Sequence, residues 1–274
     1  MAIKSDFHLH SNHSSDSDSS MESMILRGIE LGLESMCFTE HHDIDFPEVS
    51  KETGEAMFNL NTDSYLYELL GLRYKYEDKI KILFGVEIGM QPHLRRELAL
   101  YAKAYEFDYI IGSTHLVGRI DPYYESYFEG KSDEEAYRTY FKEVYENMKI
   151  FSNYDVLAHL DYIVRYGKNK DENYSYEKYA DVIDPILNKL IDQEKGLEVN
   201  TGGLRHGLRE ANPCTDIIKK YKSLGGEIIT IGSDAHRPSD IAIEFDRASE
   251  ILKECGYKYY TTFEKRTVEM HKLV

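Results

Sequence analysis

The chain has 274 residues, 33 basic against 49 acidic, for a net charge of −16 at pH 7. That acidity argues against a nucleic-acid backbone or an anionic membrane as the main partner. No apolar run approaches the roughly 20 residues that span a bilayer, while 42% hydrophobic residues over this length suit one large domain, 1–274, with a single core.

The first element is Ser5-Asp6-Phe7-His8-Leu9-His10, which reads as a short strand. Alternation puts His8 and His10 on one face with Asp6, and Phe7 and Leu9 on the other. Two imidazoles in register on a strand form a metal clamp. A polar serine-rich loop follows, and Ser19-x-x-Glu22 resembles a capping box for a helix from about Met21 to Leu33. Ser35 to Thr39 reads as a second strand ending in Glu40-His41-His42-Asp43, followed by an irregular loop over 44–63.

Ser64 to Lys79 is predicted helical, Lys81 to Glu87 a strand, 94–107 a helix, and Tyr109 to Thr114 a strand closing on His115. A helix over 133–151 leads to Val156-Leu157-Ala158, then His159 and Asp161. A helix over 175–194, a strand Gly196 to Thr201 broken by Gly202-Gly203, and a helix over 211–224 come next. The seventh strand, Glu227 to Ile231, ends in Gly232-Ser233-Asp234-Ala235-His236, and Pro238 opens a helix reaching Cys255. The tail 256–274 carries no clear pattern. Cys37, Cys214 and Cys255 are scattered, and the N-terminus leaves no room for a signal peptide; both predict a reduced, cytoplasmic protein.

Strand and helix alternate about seven times, which implies parallel strands with helical crossovers. Ligand-type residues follow nearly every strand: His8, His10, Asp16, His41, Glu87, His115, His159, Asp234 and His236. An open sheet would spread them along a line, whereas a closed βα barrel gathers them at one mouth. Rich in nitrogen and oxygen donors and free of cysteine, the set suits Zn, Mn or Fe(II). It is too large for one ion, so two or three metals are expected, with Glu87 or Asp234 bridging. Such a centre acidifies water and clamps the oxygens of an in-line displacement, as phosphoester hydrolysis requires.

These motifs resemble the polymerase and histidinol phosphatase (PHP) family: Asp6-Phe7-His8-Leu9-His10, Thr39-Glu40-His41, Gly85-Val86-Glu87, Gly112-Ser113-Thr114-His115, Leu157-Ala158-His159-Leu160-Asp161 and Gly232-Ser233-Asp234-Ala235-His236. Ile163-Val164-Arg165 and Glu198-Val199-Asn200-Thr201-x-Gly203-Leu204-Arg205 are similar to its histidinol-phosphatase branch. The resemblance implies a distorted (β/α)7 barrel in one domain, a trinuclear metal site, and hydrolysis of L-histidinol phosphate by a metal-activated hydroxide in histidine biosynthesis. It also implies the ligand sets: His8, His10, Glu87 and Asp234 for one metal, Glu87 bridging to a second held by His115 and His159, and Asp16, His41 and His236 for the third. Asp16 keeps the family's spacing after His10, with His13 its rival. His41 is preferred to His42 because it follows Thr-Glu directly.

Arg165 and Arg205 are the expected phosphate binders, since guanidinium groups grip phosphate oxygens in pairs. His206 and His42 are candidate proton donors or substrate neighbours. The expected partner is a small phosphomonoester rather than nucleic acid or membrane. The alternatives are a PHP phosphoesterase acting on nucleotides or other phosphomonoesters, and a non-catalytic metal-binding module.

Overall fold

A computed structural model describes residues 2–50 and 56–273. Seven parallel strands follow one another in chain order: β1 (Ser5–Leu9), β2 (Ser35–His42), β3 (Lys81–Gly89), β4 (Tyr109–Ser113), β5 (Val156–Leu157), β6 (Gly196–Asn200) and β7 (Ile229–Gly232). The edges meet where the Asp234 N–H donates to the His8 carbonyl and the His10 N–H to the Ala235 carbonyl, both at 2.9 Å. The result is the expected (β/α)7 barrel, almost closed. It is distorted at β5, two residues long, and at β1, whose pairing with β2 shifts register between Asp6 and Leu9. That shift corrects the simple alternation. Phe7 turns into the barrel interior beside Tyr109, while Leu9 joins the outer core.

The helices cover the outside: α1 (Met21–Glu30), α2 (Thr62–Lys75), α3 (Arg95–Ala104), α4 (Asp133–Ile150), α5 (Tyr176–Asp192), α6 (Gly202–Arg205), α7 (Thr215–Ser223) and α8 (Phe245–Glu254). Several bounds differ from the sequence reading for local reasons. α1 stops short because Gly32 takes a positive φ of 73° and the Leu33 N–H returns to the Gly28 carbonyl. α2 starts early because Asn61 caps it through the Ser64 N–H. The Gly202-Gly203 pair opens the short helix α6 instead of only ending β6. Asn212 pairs with Asn200, so α7 begins only at Thr215. Pro238 starts a single 3-10 turn, and α8 follows from Phe245.

The tail forms an antiparallel hairpin, β8 (Tyr259–Glu264) with β9 (Thr267–Lys272). Its Phe263 plugs the barrel floor, packing with Phe7, Cys37, Leu83, Tyr109 and Ile111 and stacking on Tyr109 at 5.1 Å. The loop predicted over 44–63 is described except for 51–55, and no helix among the described residues is long and apolar enough to cross a membrane.

Candidate metal centre

Parallel strands deliver their C-terminal ends to one mouth, where the interior columns change character. On β2, Cys37 and Thr39 give way to His41; on β3, Leu83 and Gly85 give way to Glu87; on β4, Tyr109 and Ile111 give way to Ser113. Glu87, fully buried, stands at the centre. Its Oε2 lies 3.1 Å from His8 Nε2, 3.5 Å from His10 Nε2 and 3.0 Å from His41 Nδ1. Its Oε1 lies 3.1 Å from His115 Nε2 and 3.0 Å from His159 Nε2, and accepts from Ser113 Oγ at 2.6 Å. Asp234 Oδ1 approaches His8 and His10 Nε2 at 3.7 and 3.5 Å and His236 Nδ1 at 3.8 Å. Asp16, at the exposed rim, sits 3.6 Å from His41 Nε2 and 3.0 Å from His236 Nε2. All nine residues expected from the sequence as metal ligands therefore meet.

The residues fit divalent cations on two grounds. Their donor atoms form several overlapping groups, among them His8-His10-Glu87, Glu87-His115-His159 and His10-His41-His236. His10 Nε2 is also buried with no aligned hydrogen bond among the described residues, the Glu87 and Asp234 oxygens lying 3.5 Å away, an arrangement costly unless something else is bound there. Electrostatics agree. Burial lowers His8, but Glu198, Glu87 and Asp234 outweigh it and hold the ring well above its ordinary range. Burial raises Glu87, but His8, His115 and His41 hold it well below. His10 is pushed well down by burial and by the rings of His41 and His236. Protons thus occupy part of the place that a cation's charge would take.

A second set of carboxylates fixes the rings. Glu198 Oε1 bonds His8 Nδ1 at 2.6 Å and Asp43 Oδ1 bonds His115 Nδ1 at 2.8 Å, leaving each Nε2 to face the centre. Glu40 accepts from the Ser11 and Ser14 hydroxyls at 2.6 and 2.5 Å and shapes the loop carrying Asp16. The sequence reading missed Glu198 and Asp43 as orienting groups. Their signals were position: Glu198 alternates with Asn200 on β6, and Asp43 directly follows the two histidines of β2. Two glycines make room for them. A Cβ at Gly232 would meet His8 Cβ at 2.3 Å, and one at Gly89 would meet Asp43 Oδ1 at 1.9 Å. His159 and Asp234 both take positive φ, 22° and 55°, so the chain turns sharply to present them.

Residues 6–202 match the model of the PHP domain. The chain belongs to the PHP family. It is 32% identical to the histidinol-phosphatase of Lactococcus lactis, over 98% of this chain and 97% of that protein. It is 34% identical to a probable histidinol-phosphatase of Clostridium acetobutylicum, over 96% and 98%. Among solved structures, it is similar to Lactococcus lactis histidinol phosphate phosphatase complexed with zinc, L-histidinol and phosphate, with a TM-score of 0.88, 31% identity and coverage of 97% of this chain and 98% of that one.

Beside the centre of this PHP domain opens a cavity of about 720 Å³. Arg165 and Arg205 line it. Arg165 is buried, its Nε on Asn212 Oδ1 at 2.8 Å, its Nη2 on Asn200 Oδ1 at 3.0 Å and its Nη1 3.3 Å from Asp234 Oδ2. Arg205 donates to Asp240 Oδ2 at 3.1 Å and to the Asp234 carbonyl at 2.7 Å. His206 also lines the cavity, lowered to about 4 by burial, Arg165 and Arg205. Its ring is therefore neutral at neutral pH in the absence of a bound anion. His42 needs a larger correction. It alternates with His41 on β2, points away from the cavity, and stacks on Tyr101 at 3.7 Å with 6% exposure. It is a packing residue rather than a substrate neighbour or proton donor.

Proposed function

We propose that this chain is a metal-dependent phosphomonoesterase that hydrolyses L-histidinol phosphate to L-histidinol and phosphate, a step of histidine biosynthesis. One observation carries the reading: Glu87 and eight further donor residues converge at the floor of a cavity whose wall holds two arginines. The resemblance of the whole chain to the zinc-, histidinol- and phosphate-bound Lactococcus protein supports the substrate.

Three ions are proposed. His8, His10, Glu87 and Asp234 would hold the first, Glu87 with His115 and His159 the second, and Asp16, His41 and His236 the third. Divalent ions bound there supply an acidified water and neutralise charge on the phosphoryl group. The chain's own residues do the rest. Arg165, clamped by Asn212 and Asn200, presents a fixed guanidinium to the phosphate, and Arg205 approaches from α6. Glu87 and Asp234 keep the ions' donors in register, and Glu198 and Asp43 hold the rings of His8 and His115 in a single orientation. His206 stands beside both arginines. Burial and then the two guanidinium charges lower its ring; a phosphate dianion there would offset the guanidinium part, favouring a protonated ring that passes its proton to the leaving alcohol.

The test pairs elemental analysis with phosphate release from L-histidinol phosphate before and after chelation. Release that stops on chelation and returns with Zn, Mn or Fe(II) is expected. Metal-loaded protein that releases no phosphate would overturn the reading. Equal efficiency on nucleotides and sugar phosphates would remove the substrate assignment.

A further inference from the structure

The cavity has two poles. One is the metal centre with Arg165 and Arg205. The other is acidic and aromatic, built by the loop between β4 and α4, the loop after β2 and the turn after β5, with Asp121, Glu48, Tyr123, Tyr124 and Tyr166 on its wall. We propose that Asp121 is a specificity-determining residue: its carboxylate binds the protonated nitrogen of the alcohol being released, so that the site selects phosphomonoesters of cationic amino alcohols. This rests on the phosphatase reading and deepens it, because it seats the organic half of the substrate.

One oxygen of Asp121 accepts from the Tyr123 N–H at 2.8 Å, which aims the carboxylate. Among the described residues no lysine or arginine lies within ion-pair distance of Asp121 or of Glu48. Tyr124 Oη donates to Glu48 Oε2 at 2.6 Å, which fixes the second carboxylate on the same wall. Burial raises Asp121 to about 6; the Tyr123 N–H and His115 oppose the shift, while Asp43 and Glu48 add to it. Asp121 is thus a partly desolvated carboxylate, mostly ionised at neutral pH, that among the described residues has no lysine or arginine partner and feels only the His115 ring from the metal pole as an opposite charge. Such a group is unfavourable until a cation reaches it. Tyr123, Tyr162 and Tyr166 are in ring contact at 5.0–5.9 Å and offer faces to a cation or a planar ring. A ligand carrying phosphate at one end and an ammonium at the other fits this polarity in one direction only.

The experiment measures kcat/KM of the metal-loaded protein for L-histidinol phosphate and for p-nitrophenyl phosphate, whose leaving group carries no cation. The readout is the ratio of the two. Wild type is expected to favour the cationic ester strongly, Asp121→Asn to reduce the ratio about tenfold, mainly through KM for L-histidinol phosphate, and Asp121→Glu to restore part of it. A ratio within threefold of wild type in Asp121→Asn overturns the inference while leaving the phosphatase reading intact. A wild-type ratio near one overturns the inference and the substrate assignment, while phosphate release from either ester still supports a phosphatase. Should the variant fail to fold, wild-type inhibition decides. L-Histidinol is expected to inhibit p-nitrophenyl phosphate hydrolysis more strongly than its neutral N-acetyl derivative, and equal inhibition would sink the inference.

Discussion

The floor and the mouth of the barrel are built from the same strands a few residues apart, yet they do opposite work. Cys37, Leu83, Tyr109 and Ile111 close the floor against Phe263, and every one is buried and apolar. One or two inward positions further on, His41, Glu87 and Ser113 form the mouth, polar and buried except for the partly exposed His41. The floor needs only shape, because apolar burial is non-directional. The mouth needs direction, since each buried polar atom must find a partner. Floor substitutions should therefore cost stability, and mouth substitutions should cost chemistry.

The sharpest way to break that contrast is Glu87→Gln. Glu87 faces five imidazoles, and an amide offers one acceptor where the carboxylate offers two charged ones. Activity should fall by about 10³-fold, with bound metal reduced on elemental analysis. A variant that keeps full metal content and activity would remove Glu87 from the centre. Next come the residues one layer back. Glu198→Gln and Asp43→Asn keep shape but weaken the hold on the His8 and His115 rings. Each should cost roughly 10–100-fold in activity or metal affinity, read by chelator competition. Loss of stability alone, with unchanged metal affinity, would make them ordinary buried acids.

How much of this was legible follows the same division. Strand order and the meeting of the nine candidate ligands could be read because nearly every strand ends in a chemically distinctive residue. Glu198 and Asp43 were harder, because their role appears only when β6 and the end of β2 are brought beside His8 and His115. The register shift in β1 left no mark in composition, and it sends Phe7 to the floor against the period-two expectation. The β8–β9 hairpin escaped for a different reason. Its outer strand is largely exposed, so it lacks the apolar alternation that announces a half-buried strand. Asn212 was hidden because its pairing with Asn200, which seats Arg165, is non-local.

The floor side of the comparison is tested by Phe263→Ala. Phe263 is 3% exposed and stacks on Tyr109. Removing its ring should cost about 3–5 kcal/mol of stability, seen in denaturant unfolding, while the surviving folded protein keeps its metal content and its kcat within about threefold. A loss of metal at unchanged stability would mean that floor and mouth are not separable.

The smallest effect on activity is expected where the two classes lie closest, at His41 and His42. His41 belongs to the mouth and its neighbour to the packing. His42 Nδ1 is buried without a hydrogen-bond partner among the described residues, and burial lowers the ring to about 4. His42→Phe should therefore leave kcat and KM within about twofold at pH 7, whereas His41→Phe should not. The sign of the pH effect follows from the lowered value. The unfolded chain takes up a proton on His42 below its ordinary 6.5 and the folded chain does not until about 4, so His42 destabilises the fold progressively as pH falls between those values. The cost reaches about 2 kcal/mol by pH 5, and phenylalanine, which cannot be protonated, escapes it. Unfolding curves at pH 7 and pH 5 should show a smaller acid loss in His42→Phe than in wild type. Equal losses, or a collapse of activity at pH 7, would move His42 back to the mouth.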